Sequence, residues 1–196
     1  MATWLAVGLG NPGDRYATTR HNIGARVVEL LAERLGTRLR KVRFGAVTAG
    51  EANVEGERLL LVRPLAFMNV SGPPVASFAR RRRVEPQHVI AVHDEIDLPF
   101  GALKLKQGGS TAGHNGLRSL QSALGTPEFH RVRIGVGRPP GRKDPADHVL
   151  EPFTKGERDE AEVLVEEGAE AVVTLVREGL ARAQDGHNRT GPPGAG

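Results

Sequence analysis

The sequence predicts a single α/β domain, a twisted mixed β-sheet flanked by helices. Three observations carry this. Short apolar runs at 3–9, 45–49, 58–62, 88–92, 102–105 and 131–136 have the length of buried strands. Stretches near 22–35, 69–82, 114–124 and 155–183 carry apolar residues at helical spacing and interleave with those runs. A chain of 196 residues can bury one substantial core but would crowd two, so residues 1–184 read as one domain.

Each element has its own justification. "WLAVGL" is apolar throughout, as a strand covered on both faces must be, and "IGARVVELLAERLG" has the stripe of an amphipathic helix. "LLLVRPLAFMNVSG" and "VIAVHDEIDLPFG" repeat the pattern of a buried strand that ends in polar residues. In "KLKQGGSTAGHNGLRSL", Leu103 and Leu105 alternate with Lys104 and Lys106, so the strand has one apolar and one basic face before a glycine-rich loop enters a helix. "HRVRIGVG" alternates in the same way, with Arg131 and Arg133 on one face and Val132 and Ile134 on the other. Thr154 and Glu157 form a capping-box pattern ahead of Ala161, Leu164, Val165, Ala169, Val172, Val173, Val176 and Leu180. "RPPGRKDPAD" at 138–147 reads as a mobile flap and 185–196 as a disordered tail. No internal repeat is present.

Composition narrows the function. No stretch approaches the roughly 18 to 20 consecutive apolar residues of a membrane span, and no basic-then-apolar segment opens the sequence, so a soluble cytoplasmic protein is expected. With no cysteine, disulfides and thiolate chemistry are excluded. The 27 Lys and Arg against 23 Asp and Glu leave a net charge of +4, which permits an anionic partner without requiring one.

The polar clusters are where chemistry can reside. In open α/β sheets ligands lie outside the carboxyl ends of strands, so Asn11, His21, Asn69 and Asp94 are candidates to share one crevice. Each has a plainer reading. Gly10 and Gly13 suit a tight turn with positive φ, Phe67 and Met68 suit a core, and Asn69 suits a helix cap. Lys104 and Arg131 equally suit solvent-facing positions, and Arg80 to Arg83 at a helix end suit its dipole and solvation better than an RNA contact.

Other chemistries fit poorly. "GLGNPG" matches a dinucleotide fingerprint in form, but Pro12 and "DRYATTR" delay the helix that should open beneath the pyrophosphate. Seven histidines are present without H-E-x-x-H or H-x-x-H spacing, so no metal is expected. There is no G-x-S-x-G elbow. Histidine, a carboxylate and several amides without a nucleophile point to a hydrolase that activates water.

Taken in order, "VGLGNPGDRYATTRHNIG", "RPLAFMNVSG", "VHDEIDLPFG", "GGSTAGHNGLRSL" and "FHRVRIGVG" resemble the bacterial peptidyl-tRNA hydrolase family. The resemblance implies a monomeric α/β enzyme of the peptidyl-tRNA hydrolase-like fold, with no cofactor or metal, that cleaves the ester between a peptide and the 3′ ribose of tRNA. It matches His21 to the general base, Asp94 to the carboxylate orienting it, and Asn11 to the residue separating blocked from free aminoacyl esters. It matches Asn69 and Asn115 to amides positioning substrate and water, places Tyr16, Phe67, Met68 and His114 along the crevice, and makes Lys106 and Arg133 a clamp for the tRNA 5′ phosphate. Ser110, Thr111 and Ala112 depart from the glycine and histidine of many relatives. A non-catalytic RNA-binding relative of the same fold is the alternative, and it would lack the His21–Asp94 pair.

Overall fold

The computed structural model describes residues 1–191. In chain order the elements are β1 (Thr3–Gly8), α1 (Ile23–Arg34), β2 (Arg40–Lys41), β3 (Val47–Val54), β4 (Glu57–Pro64), α2 (Gly72–Arg82), β5 (Val89–Glu95), β6 (Leu103–Gln107), α3 (Asn115–Leu124), β7 (His130–Gly135), α4 (Pro145–Val149), α5 (Arg158–Glu178) and α6 (Leu180–His187). One seven-stranded sheet has the order β2-β3-β4-β1-β5-β7-β6. β1 runs parallel to β4 and β5, and β5 parallel to β7, while β2, β3 and β6 pair antiparallel at the edges. The predicted mixed sheet flanked by helices is therefore the fold.

The period-two alternation of the strands divides the core. Ala6, Leu59, Leu61, Ile90, Val92, Val132 and Ile134 face α1 and α5 on one side. Leu5, Val7, Leu60, Val62, Val89 and Ala91 face α2 and α3 on the other. Strands buried on both faces must be apolar at nearly every position, which is why they were legible. The helix α1 crosses the sheet closely at Gly24, where a Cβ would lie 2.0 Å from the Val92 carbonyl oxygen. That contact sets residues 20–22 against the end of β5.

Four expectations change. The turn 8–13 uses positive φ only at Gly13 (96°), whereas Gly10 makes room for Asn22, whose Cγ would meet a Cβ at 2.9 Å. The segment 138–147 is not a free flap. Its end forms α4, capped by Asp144, whose side chain accepts the Ala146 N–H at 2.9 Å, and Arg138 pairs with Asp97 at 2.6 Å. The long helix breaks at Gly179 (φ 84°) into α5 and α6, and its capping box is half made, with Glu157 accepting the Thr154 N–H at 2.7 Å. Residues 185–187 close α6, and Arg189 pairs with Leu103 on the edge strand β6, so the tail reading fails for the described part. An edge strand has unpaired backbone groups to offer, and Arg189 also reaches Glu160 (3.1 Å) and Glu167 on α5. Residues 192–196 lie outside the described residues.

Candidate active site

The carboxyl ends of β1, β4 and β5 open into a crevice of about 590 Å³, closed by the glycine-rich loop on one side and α4 on another. Asn11, His21, Phe67, Met68, Asn69, Asp94, His114 and Asn115 all line it. Tyr16 stands at its rim, its ring edge-on to Phe67 with centroids 6.3 Å apart.

Asp94 is the centre of the arrangement. It is buried at the end of β5, and both of its oxygens lie near His21 Nδ1, at 2.8 and 3.0 Å. On its other side His114 Nε2 is 2.9 Å from Oδ1. The ring of His114 is oriented by α3, whose Gly116 and Leu117 N–H groups donate to His114 Nδ1 at 3.1 and 3.3 Å. An Nδ1 that accepts leaves the proton on Nε2, so His114 is a neutral donor to Asp94. The same logic puts the His21 proton on Nδ1 and leaves Nε2 as an acceptor facing the crevice.

The electrostatics follow. Burial opposes ionisation of Asp94, but the electrostatic attraction of His21 and the hydrogen bonds from both His21 and His114 hold its carboxyl far below the usual carboxylate range. Burial also pushes His21 down, and the charge and hydrogen bond of Asp94 outweigh it and raise the imidazole above its ordinary value. His93, fully buried in β5, is pushed down chiefly by burial, and its Nδ1 is bonded to the Asp94 backbone carbonyl at 2.7 Å.

Asn11 is fixed from two sides. Its Oδ1 accepts the Met68 N–H at 2.8 Å, and its backbone N–H and carbonyl pair with the Asn22 amide at 2.8 and 2.9 Å. With Oδ1 occupied, Nδ2 is the end of the side chain without a hydrogen-bond partner among the described residues. Asn69 does not cap α2; it is exposed in a 3₁₀ turn over 68–70, as Asn115 is at the start of α3. Met68 is buried and Phe67 exposed, so the core reading holds for one of the pair.

Lys106 and Arg133 lie outside the crevice on β6 and β7. Burial and the neighbouring Arg133 and Arg131 push the Lys106 ammonium down, and Arg133 is 3.4 Å from Glu95, which lines the crevice. Arg131 is not solvent-facing. It is 0 % exposed, and its guanidinium donates to the Gly109 carbonyl at 2.8 Å and to that of Ser110, holding the glycine-rich loop.

Sequence reasoning missed four participants: Asn22, Glu95, the His114–Asp94 bond and Arg20. Arg20 is buried beside His21 and donates to the carbonyls of Pro152 (2.9 Å), Glu151 (3.3 Å) and His148 (3.4 Å) and to Glu157 (2.6 Å). It ties the α4 wall to the turn that carries His21. The only signal was its position beside His21.

His21, Asp94 and His114 offer ligand atoms within 4.8 Å of one another, the one such group among the described residues. The fit to a metal is poor, because His114 Nε2 carries a proton as long as Nδ1 caps α3, and His21 Nδ1 donates to Asp94.

Comparison with known proteins agrees with this geometry. The sequence pattern of the family described as peptidyl-tRNA hydrolase matches residues 5–193. Peptidyl-tRNA hydrolases of Nocardia farcinica and Frankia casuarinae are 53 % and 55 % identical over 92 % and 93 % of this chain and 94 % and 92 % of their own. The crystal structure of peptidyl-tRNA hydrolase from Acinetobacter baumannii superposes with a TM-score of 0.90 at 36 % identity, covering 97 % of this chain and 96 % of that one. With the crevice, the His21–Asp94 pair and the fold all in place, the chain belongs to the peptidyl-tRNA hydrolase family.

Proposed function

We propose that His21 and Asp94 carry out the hydrolysis of peptidyl-tRNA in this enzyme, and that the other crevice residues position its substrate. The carrying observation is the His21 Nδ1–Asp94 contact at 2.8 Å, which orients Nε2 toward the crevice as a base. Water gives its proton to Nε2 as its oxygen bonds to the ester carbonyl carbon. When the tetrahedral intermediate collapses, the bond to the ribose 3′ oxygen breaks and that oxygen takes the proton back from the imidazolium. Asp94 stays ionised throughout and stabilises the charged ring.

Asn11 explains the choice of substrate. Its Nδ2 donates to the carbonyl of an N-acyl group, which a free α-ammonium cannot replace, having no acceptor to offer. Asn69 and Asn115 hold the terminal nucleotide and the water, and Tyr16, Phe67, Met68 and His114 pack against that end. No helix among the described residues is long and apolar enough to cross a membrane. The enzyme acts in this reading as a cytoplasmic monomer that uses no metal.

Release of free tRNA from an N-blocked aminoacyl-tRNA, with the unblocked ester spared, tests the reading. EDTA leaves the rate unchanged; inhibition that added Zn²⁺ reverses, on a substrate RNA needing no metal itself, would contradict the water-activation scheme.

Lys106 and Arg133 in this reading grip the 5′ phosphate. Replacing either by Ala raises KM several-fold and flattens its salt dependence while sparing kcat, because a phosphate contact is made equally in ground and transition states. A minimal N-blocked CCA fragment without a 5′ phosphate is the control. Equal losses on the fragment and on whole tRNA would remove the clamp.

A further inference from the structure

The arginine run 80–83 has no part in the crevice, yet the fold gives it a partner segment that the sequence did not reveal. The last turn of α2 meets the turn between β2 and β3. Arg81 Nη1 donates to the Phe44 carbonyl at 3.4 Å, and its other terminal nitrogen lies against Gly45. On the two segments that meet there, Arg38, Arg40, Lys41 and Arg43 on the one and Arg80, Arg81, Arg82 and Arg83 on the other are all exposed. None of the eight takes part in an ion pair among the described residues, whereas Arg20, Arg26, Arg34, Arg58, Arg63, Arg133, Arg138, Arg177 and Arg189 all do. The nearby Glu51 is committed to Arg58, at 2.7 and 2.8 Å. Cations that repel one another and are left without acids cost stability unless an anionic partner gathers them.

Phe44 indicates what kind of partner. Its side chain is 85 % exposed at the tip of the turn, with a left-handed φ of 59°, and the Arg43 guanidinium lies 4.8 Å from its ring centroid. An aromatic face set among exposed arginines matches the way single-stranded RNA is held, by phosphate contacts and base stacking. An acidic peptide would satisfy the cations and leave the ring unused.

We propose that the β2–β3 turn and the C-terminal turn of α2 form a second RNA-binding surface, which takes a single-stranded segment by stacking a base on Phe44 and pairing its phosphates with Arg43 and Arg80 to Arg83. It is distinct from the 5′ phosphate clamp, because β4, β1 and β5 separate β3 from β7. Its β2–β3 turn lies at the same end of the sheet as the crevice, since Val47 pairs with Pro64 at the end of β4 and Leu65 donates to Ala46 at 2.8 Å, while α2 runs from that end toward the start of β5. An RNA on it can therefore be bound alongside the substrate.

The test uses a single-stranded RNA of about 12 nucleotides, within the span such sites cover. It carries a 5′ hydroxyl and a 3′ fluorescein, so neither the clamp nor the crevice can select it, and binding is followed by anisotropy against salt. The wild-type protein binds it. Phe44→Ala weakens binding about fivefold or more, and Arg81→Ser lowers the salt slope by about 0.7. Both variants turn over the minimal N-blocked CCA fragment at the wild-type rate, which shows that they are folded. Lys106→Ala and Arg133→Ala bind the oligonucleotide as the wild type does. The proposal is overturned if the oligonucleotide does not bind, if Phe44→Ala leaves its affinity unchanged, if the clamp variants lose it, or if polyglutamate competes with the same dependence on Phe44. Turnover of the fragment reads the hydrolase assignment separately.

Discussion

His21→Ala lowers kcat by roughly two to four orders of magnitude while the protein stays folded and still binds tRNA, since a positioned general base contributes about that much. The structure gives the reason for the split. The imidazole is 12 % exposed at the edge of the crevice, and its only hydrogen bonds among the described residues are to Asp94, so no backbone element there depends on it. His114 also bonds Asp94 and retains the carboxylate's second contact in the variant. Single-turnover hydrolysis of N-blocked aminoacyl-tRNA, paired with a binding measurement on uncharged tRNA, checks the result. Loss of soluble protein or of tRNA binding would make His21 a structural residue.

Asp94→Asn is the second large effect, about 10²-fold to 10³-fold in kcat and smaller than that of His21→Ala. Asp94 accepts from two histidines, and an amide can accept with only one end. Where the new N–H₂ faces His21 it donates to Nδ1, forces the proton onto Nε2 and blocks the base. Where the amide oxygen faces His21 the base survives without its charge support. The pH profile carries an independent signature. The base works unprotonated, so in the wild type the acid limb of kcat/KM falls at a pH above the ordinary imidazole value of about 6.5. Without the Asp94 charge, burial lowers the His21 value and the acid limb moves to lower pH. An unchanged limb would dissociate the two residues.

The same pair makes stability depend on pH with a definite sign. His21, raised in the folded state, stabilises the fold below about 6.5, and this contribution is lost as pH rises through its folded value. Asp94, lowered in the folded state, stabilises above about 3.9, and its contribution is lost as pH falls toward its folded value.

The parallel strands and the polar clusters at their ends were legible because both are local patterns. A strand covered on two faces reads as a continuous apolar run, and a crevice at strand ends puts Asn11, Asn69 and Asp94 just beyond such runs. The edges were harder. β2 has two residues, both exposed, and β3 alternates weakly because much of it is half-exposed, so neither leaves a strong hydrophobic signature. The segment around α4 reads as a loop from its Pro and Gly content, and much of what holds it comes from distant residues, Arg20 bonding its carbonyls and Asp97 pairing with Arg138.

The sequence by itself determined the fold class, the family, and which residues stand at the strand ends, because hydrophobic period and motif spacing are properties of the chain. The tertiary structure alone decided what each polar side chain is bonded to. It turned Arg131 inward to the glycine-rich loop, made His114 a locked donor to the same carboxylate as His21, and brought Arg81 onto Phe44. The physical reason is that a strand's period assigns a side chain to a face of the sheet. Whether that face is then covered, and by whose carbonyl or carboxylate, depends on segments far away in sequence that only folding brings together.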